Sequence, residues 1–223
     1  MPGLLEENVS VHVNADSLDY RGSGGRAVYT GNVVLSQGTT TTIRGNTITL
    51  DRQTGDLVAT GNAMSQLVLD GGRSIGRAHE IRYDEARRMI TYGAAPLEPT
   101  SVPGTAAGTV QLNGPGGDVT AARIEVVLVD EGTRVDRLEA YTGVSVTIDT
   151  RTATGARLTF HPADSRYVME SAPGVPVGLL DRSRNSCTET TGRTLTFFKS
   201  TDTMIVDRAR TKSGPCGPQA ALR

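Results

Sequence analysis

The chain has 223 residues, a formal net charge of −1, 37% hydrophobic and 4% aromatic residues, and 26 glycines. A balance this close to neutral excludes a protein that works by gripping a phosphate backbone, which needs a basic face, so no nucleic-acid partner is expected. No apolar run approaches the ~20 residues that cross a bilayer as a helix, and the apolar content is that of a folding chain, not a disordered one.

There are 29 Thr and 21 Val against three Phe and no Trp. Thr and Val are stiff at χ1 and favour strands over helices, so the composition predicts many short strands and tight turns. Residues 1–10 read as a frayed end. Met1-Pro2-Gly3 shows no signal peptide and reads as an artificial start.

The first strand unit is Ala15-Asp16-Ser17-Leu18-Asp19-Tyr20. After the turn Arg21-Gly22-Ser23-Gly24-Gly25 comes a second word, Tyr29-Thr30-Gly31-Asn32-Val33-Val34-Leu35. The first unit returns as Gly45-Asn46-Thr47-Ile48-Thr49-Leu50 and the second as Ala59-Thr60-Gly61-Asn62-Ala63-Met64. Ala78-His79-Glu80-Ile81-Arg82-Tyr83 follows, and Asp84–Arg88 reads as a hairpin loop. From Pro96 to Gly117 proline and glycine crowd the chain, which predicts an enlarged loop or a linker. The first unit resumes at Ala121-Ala122-Arg123-Ile124-Glu125-Val126, then Gly155-Ala156-Arg157-Leu158-Thr159-Phe160 and Gly192-Arg193-Thr194-Leu195-Thr196-Phe197. Tyr141-Thr142-Gly143-Val144-Ser145-Val146 repeats the second word without its Asn. Residues 211–223 read as a C-terminal tail.

Within each unit apolar residues alternate with polar ones, the period of a half-buried strand. Leu18/Tyr20, Ile48/Leu50, Ile81/Tyr83, Leu158/Phe160 and Leu195/Phe197 fall on one face, with Asp19, Thr49, Arg82, Thr159 and Thr196 on the other. A strand pair cannot bury its apolar face alone, so the stacked pairs fold over on themselves or pack on a second sheet. No amphipathic helix of ten residues is predicted.

The chemistry-bearing motifs are weak. Gly72-Arg73-Ser74-Ile75-Gly76 fits G-x-S-x-G but lies between strands, where a nucleophile elbow needs a following helix. His12, His79 and His161 sit in different repeats, so no metal site is expected. Gly114-Pro115-Gly116-Gly117 lacks the Lys and helix of a phosphate loop. No catalytic residue and no cofactor are predicted. Cys187 and Cys216 form a candidate disulfide in an exported chain and two free thiols in a cytosolic one.

The words at 15–20 and 29–38, with Ala59-Thr60-Gly61-Asn62 and Ala78–Tyr83, resemble the OstA-like repeat, the family of LptA, LptC and the periplasmic part of LptD. The resemblance is clearest over 11–95 and recurs more weakly over 118–210, with 96–117 between them as loop or linker. It implies an all-β fold, a folded-over antiparallel β-jellyroll of stacked strand pairs. It further implies a periplasmic, non-enzymatic protein, soluble or tethered to the inner membrane through a segment absent here. Its partners would be lipopolysaccharide, through the lipid A acyl chains, and other OstA-like domains joined end to end through terminal strands, with self-association possible by the same route. The expected groove lining is Leu18, Tyr20, Val33, Leu35, Ile48, Leu50, Ile81, Tyr83, Ile124, Val126, Val144, Val146, Leu158, Phe160, Leu195 and Phe197. The alternative is a structural or adhesive β-solenoid with a closed core and no ligand. A third reading, an enzyme on a β-helix, would need a carboxylate or Arg cluster on an outer face.

Overall fold

The computed structural model describes residues 4–5, 8–21, 25–94, 108–129, 132–182 and 186–216. Among them there is no α-helix, and the one 3-10 turn spans Pro162–Asp164. Six strands are long: β3 (Arg26–Gln37), β4 (Thr41–Asp51), β5 (Leu57–Leu69), β6 (Gly72–Asp84), β11 (Val135–Ile148) and β12 (Arg151–His161). Twelve are short: β1 (Val11–Asn14), β2 (Ser17–Arg21), β7 (Met89–Gly93), β8 (Val110–Gly114), β9 (Gly117–Ala121), β10 (Arg123–Leu128), β13 (Arg166–Glu170), β14 (Val177–Arg182), β15 (Cys187–Gly192), β16 (Thr194–Phe198), β17 (Thr203–Asp207) and β18 (Arg210–Gly214). All pair antiparallel.

Each long strand belongs to two arms of one folded sheet. The first half of β3 pairs with β2 and its second half with β1. β6 likewise pairs with β8 at its start and β7 at its end. β11 pairs first with β10, then with β9, and β12 first with β14, then with β13. The register shifts where the halves meet, between Thr30 and Val33, Arg44 and Thr47, Thr60 and Ala63, and Tyr141 and Val144. A β-bulge bends its strand, so a line of bulges is the crease along which the sheet folds.

The crease explains the Thr-Gly-Asn words. Gly31 and Asn32 take φ of +87° and +43°, and Gly61 and Asn62 take +74° and +52°. Two successive left-handed residues suit Gly and Asn, which reach that region most readily. A Cβ on Gly31 would lie 2.1 Å from an Asp16 carboxylate oxygen, because Asp16 N–H donates to the carbonyls of Thr30 and Gly31 and draws β2 onto the bulge. Ala122 N–H does the same for Tyr141 and Thr142. That equivalence shifts the third copy by one residue from its sequence alignment. Thr142 (+65°) and Gly143 (+61°) occupy the Gly31 and Asn32 positions.

The arms face each other. Tyr92 on β7 and Ser65 on β5, one from each arm, share a hydroxyl hydrogen bond of 2.9 Å in the buried interior. Gly76 gives the Tyr92 ring its room, since a Cβ there would lie 2.1 Å from it. One cluster of buried apolar side chains runs from Leu35 and Ile48 through Ile124 to Leu195 and Phe197.

Three stretches differ from the sequence reading. Within the Pro/Gly-rich stretch, residues 95–107 lie outside the described residues, but β8 and β9 form a hairpin about Pro115-Gly116. Val110, Leu112, Val119 and Ala121 are its buried alternate residues, and the glycines supply only its turn. The tail begins instead as β18, paired with β15 from Cys187 to Thr191. The Cys187–Cys216 disulfide fastens that edge. At the supposedly frayed N-terminus Leu4 is buried, its N–H donating to the Tyr83 hydroxyl at 3.2 Å.

Candidate functional site: the slot between the arms

The sixteen residues expected to line a groove lie on the interior face, in three settings. Val33, Leu35, Ile48, Ile81, Tyr83, Ile124, Val126, Val144, Val146, Leu158, Leu195 and Phe197 are buried in the shared core. Leu50 and Phe160 are half-buried against it. Leu18 and Tyr20 are 55% and 50% exposed. They face the same side as Ala27 and Tyr29, their partners on β3, but β2 is the edge of its arm and nothing among the described residues covers them.

The fold leaves one long side of the slot without a crease, where the turns of the two arms meet. Polar clasps close it at intervals. Asp70, in the β5–β6 turn, accepts from Val135 N–H at 2.9 Å and donates its own N–H to Thr133. In the β8–β9 turn, Gly116 C=O accepts from the Tyr167 hydroxyl and Pro115 C=O from Lys199 Nζ at 3.1 Å. At the C-terminal end Arg151 reaches Asp181 at 3.0 Å and Asp202 across the gap, and lies 5.6 Å above the Phe197 ring. Hydrogen bonding to Asp202 and Asp181 raises the Arg151 pKa, and the Asp202 carboxyl is held below its ordinary range.

Between the first two clasps opens a cavity of about 680 Å³, within the size range of small-molecule sites. Leu69, Leu112, Val119, Val126, Val135, Leu138, Leu158, Phe160 and Tyr167 line it, and Asp70, Arg134, Asp136 and Lys199 stand among its more polar lining. Phe160 and Tyr167 stack at 4.3 Å between ring centroids. Burial pushes the Tyr167 hydroxyl up to about 12, so it is a neutral donor at physiological pH. A second apolar void of about 20 Å³ shares Leu158 and Tyr167 with the first and continues to Val146, Leu195 and Phe197. Of the expected lining, Val126, Leu158 and Phe160 meet the large cavity. Leu112, Val119, Val135, Leu138, Arg134 and Lys199 were not among the sequence candidates. The alternation of Val110/Leu112 and Val119/Ala121 about a Gly-Pro-Gly-Gly turn was the available signal for two of them.

The outer face carries a charge cluster on β10, β11 and β12. The Tyr141 hydroxyl donates to Glu139 at 2.9 Å and Glu125 at 3.2 Å, Arg157 donates to Glu139 at 2.7 Å, and Arg123 pairs with Glu125. Burial and the two carboxylates push Tyr141 up to about 12. Burial works to raise Glu139, but hydrogen bonds from Tyr141 and Arg157 outweigh it and hold the carboxyl low. A general acid or base needs a pKa near the working pH, and these two are driven away from it in opposite directions. Ser74 is a buried residue of β6 with strand following it, not an elbow. No group of three or more His, Cys, Asp or Glu that could hold a metal occurs among the described residues.

Fold and slot together define a class: an antiparallel β-jellyroll, folded over an apolar interior, with a partly open side. Residues 12–102 match the family model described as LptA/(LptD N-terminal domain) LPS transport protein. Over that stretch, somewhat less than half of the chain, the OstA-like resemblance read from the repeats is shown. A solved structure, LptH of Pseudomonas aeruginosa, described as the LptA homologous periplasmic component of the lipopolysaccharide transport device, is 19% identical. The match covers 63% of this chain and 95% of that one, with a TM-score of 0.47. None of the curated proteins compared with the chain matches it.

Proposed function

We propose that this chain is a periplasmic lipopolysaccharide-transport protein that shelters lipid A acyl chains between its arms and passes them on toward the outer membrane. The family match supports the transport role. The observation that carries the lipid reading is the interior face, apolar from β2 to β17 and left open at Leu18, Tyr20 and the central cavity. Burial of acyl chains drives capture at about 25 cal/mol per Å² of apolar area. No step requires a cofactor or a catalytic group.

The repeats on either side of 96–117 act as one slot, because β6–β8 and β7–β10 pairing joins them. β1 and β2 at one end and β17 and β18 at the other each have one partner strand among the described residues. Such edges are ready templates for a further strand, and they are where a second OstA-like domain, or a second copy, adds end to end.

Capture of lipopolysaccharide by purified protein tests the proposal. Leu50→Asp, on the slot face, should lower capture several-fold, and Thr49→Asp, on the outer face, should leave it unchanged. Equal capture by both, with the fold intact, would instead favour a structural or adhesive β-solenoid with a closed core, the reading that the fully buried Leu35, Ile43, Ile48 and Ile90 support.

A further inference from the structure

We infer that the central cavity is a lateral port with its own phosphate subsite, which takes one acyl chain from the open side and holds the neighbouring phosphate on Arg134 and Lys199. This rests on the acyl-chain reading and adds a place and a polarity to it.

The position is the first argument. The cavity lies between two clasps on the uncreased side, Asp70 with Val135 and Gly116 with Tyr167. A chain entering there need not thread the slot from an end. Its floor leads inward, because Leu158 and Tyr167 are shared with the deeper void that reaches Phe197. The stacked rings of Phe160 and Tyr167 form a flat apolar wall.

The charges are the second argument. Both cations come from turns of the same arm, Arg134 before β11 and Lys199 after β16. They stand in the lining of a largely apolar cavity that also carries Asp70 and Asp136. Of the two carboxylates, Asp136 is paired with Arg137 at 3.3 Å, whereas Asp70 accepts only from Val135 N–H and keeps its charge, so Arg134 and Lys199 leave the mouth net positive by one. Lys199 spends one of its three donors on Pro115 C=O. Arg presents a fork suited to phosphate and Lys a point charge. An apolar pocket with two cations at its mouth fits the chain of a phosphorylated amphiphile better than a neutral lipid.

The chain has no Trp, so Phe160→Trp places a single reporter in the cavity, and Leu138→Trp is a second in case the stacked site does not tolerate the exchange. The probes are lysophosphatidic acid, lysophosphatidylcholine and a free fatty acid, each with a dibrominated chain that quenches Trp on contact. Lysophosphatidic acid should quench the reporter at the lowest concentration. Arg134→Gln with Lys199→Gln should raise its half-quenching concentration about tenfold or more and leave that of lysophosphatidylcholine within about twofold. Absence of quenching at both reporters, or quenching by lysophosphatidic acid that the double substitution leaves unmoved, overturns the port. Tightest binding of the fatty acid overturns the phosphate assignment. If Leu50→Asp still lowers lipopolysaccharide capture several-fold in that event, the slot reading stands and the lateral port alone is lost.

Discussion

The hydroxyl pair Ser65–Tyr92 tests the fold-over directly, because its partners sit on opposite arms. Tyr92 is fully buried and its hydroxyl, pushed up to about 12 by burial, is a neutral group. Ser65 is 1% exposed and lies 2.9 Å away. Tyr92→Phe removes one partner and leaves the Ser65 hydroxyl buried without it, which costs about 1–3 kcal/mol. Ser65→Ala orphans the Tyr92 hydroxyl at a similar cost. The double variant removes both polar groups, so its loss should be smaller than the sum by roughly 1–2 kcal/mol. In a chain of this size each kcal/mol moves the melting temperature by about 2–4 °C. The singles should therefore melt several degrees low, and the double should not fall by their sum. Urea titration followed by β-type circular dichroism measures all four proteins. Additive losses would show that the two hydroxyls do not meet and that the arms are not registered as described.

Two other perturbations follow from the crease and the C-terminal edge. Thr142 is a β-branched residue at φ +65°, a conformation that costs such residues about 1 kcal/mol or more, so Thr142→Asn should stabilise the fold by up to about 1 kcal/mol in the same titration, and a loss of stability would refute the corner assignment. The Cys187–Cys216 bond spans 29 residues, and closing such a loop is worth about 3.5 kcal/mol in the chain-entropy model. Since β18 is exposed along almost its whole length, replacing both cysteines by Ser should first release Arg210–Gly214, seen as loss of amide-exchange protection there while β4 stays protected; equal protection in both strands would contradict this.

The sequence showed the parts of the fold that depend on a single strand. Ile48/Leu50 and Leu158/Phe160 alternate, and alternation alone decides which face turns inward. Gly31-Asn32 and Gly61-Asn62 announced themselves as a repeated word, though not as a crease, because a bulge is defined by what the neighbouring strand does. The third corner was aligned one residue off for the same reason: Thr142 stands where Gly stood, and only the hydrogen bonds from Ala122 fix the equivalence. The β8–β9 hairpin was hidden by the prolines and glycines around it. Leu18 and Tyr20 follow the inward pattern faithfully, yet exposure depends on their strand being an edge, which no local pattern records. Arg134 and Lys199 were out of reach altogether, since two turns 65 residues apart in sequence are brought to one cavity by the fold.

Photocrosslinking on the slot face bears most directly on the central claim. A photoreactive residue at Leu50, at Phe160, or at Thr49 on the outer face is irradiated with lipopolysaccharide, and lipid-positive shifted bands are scored. Adducts at Leu50 and Phe160 without adducts at Thr49 are the predicted result. A folded protein that forms none at Leu50 or Phe160, or as many at Thr49, would contradict a lipid-carrying interior.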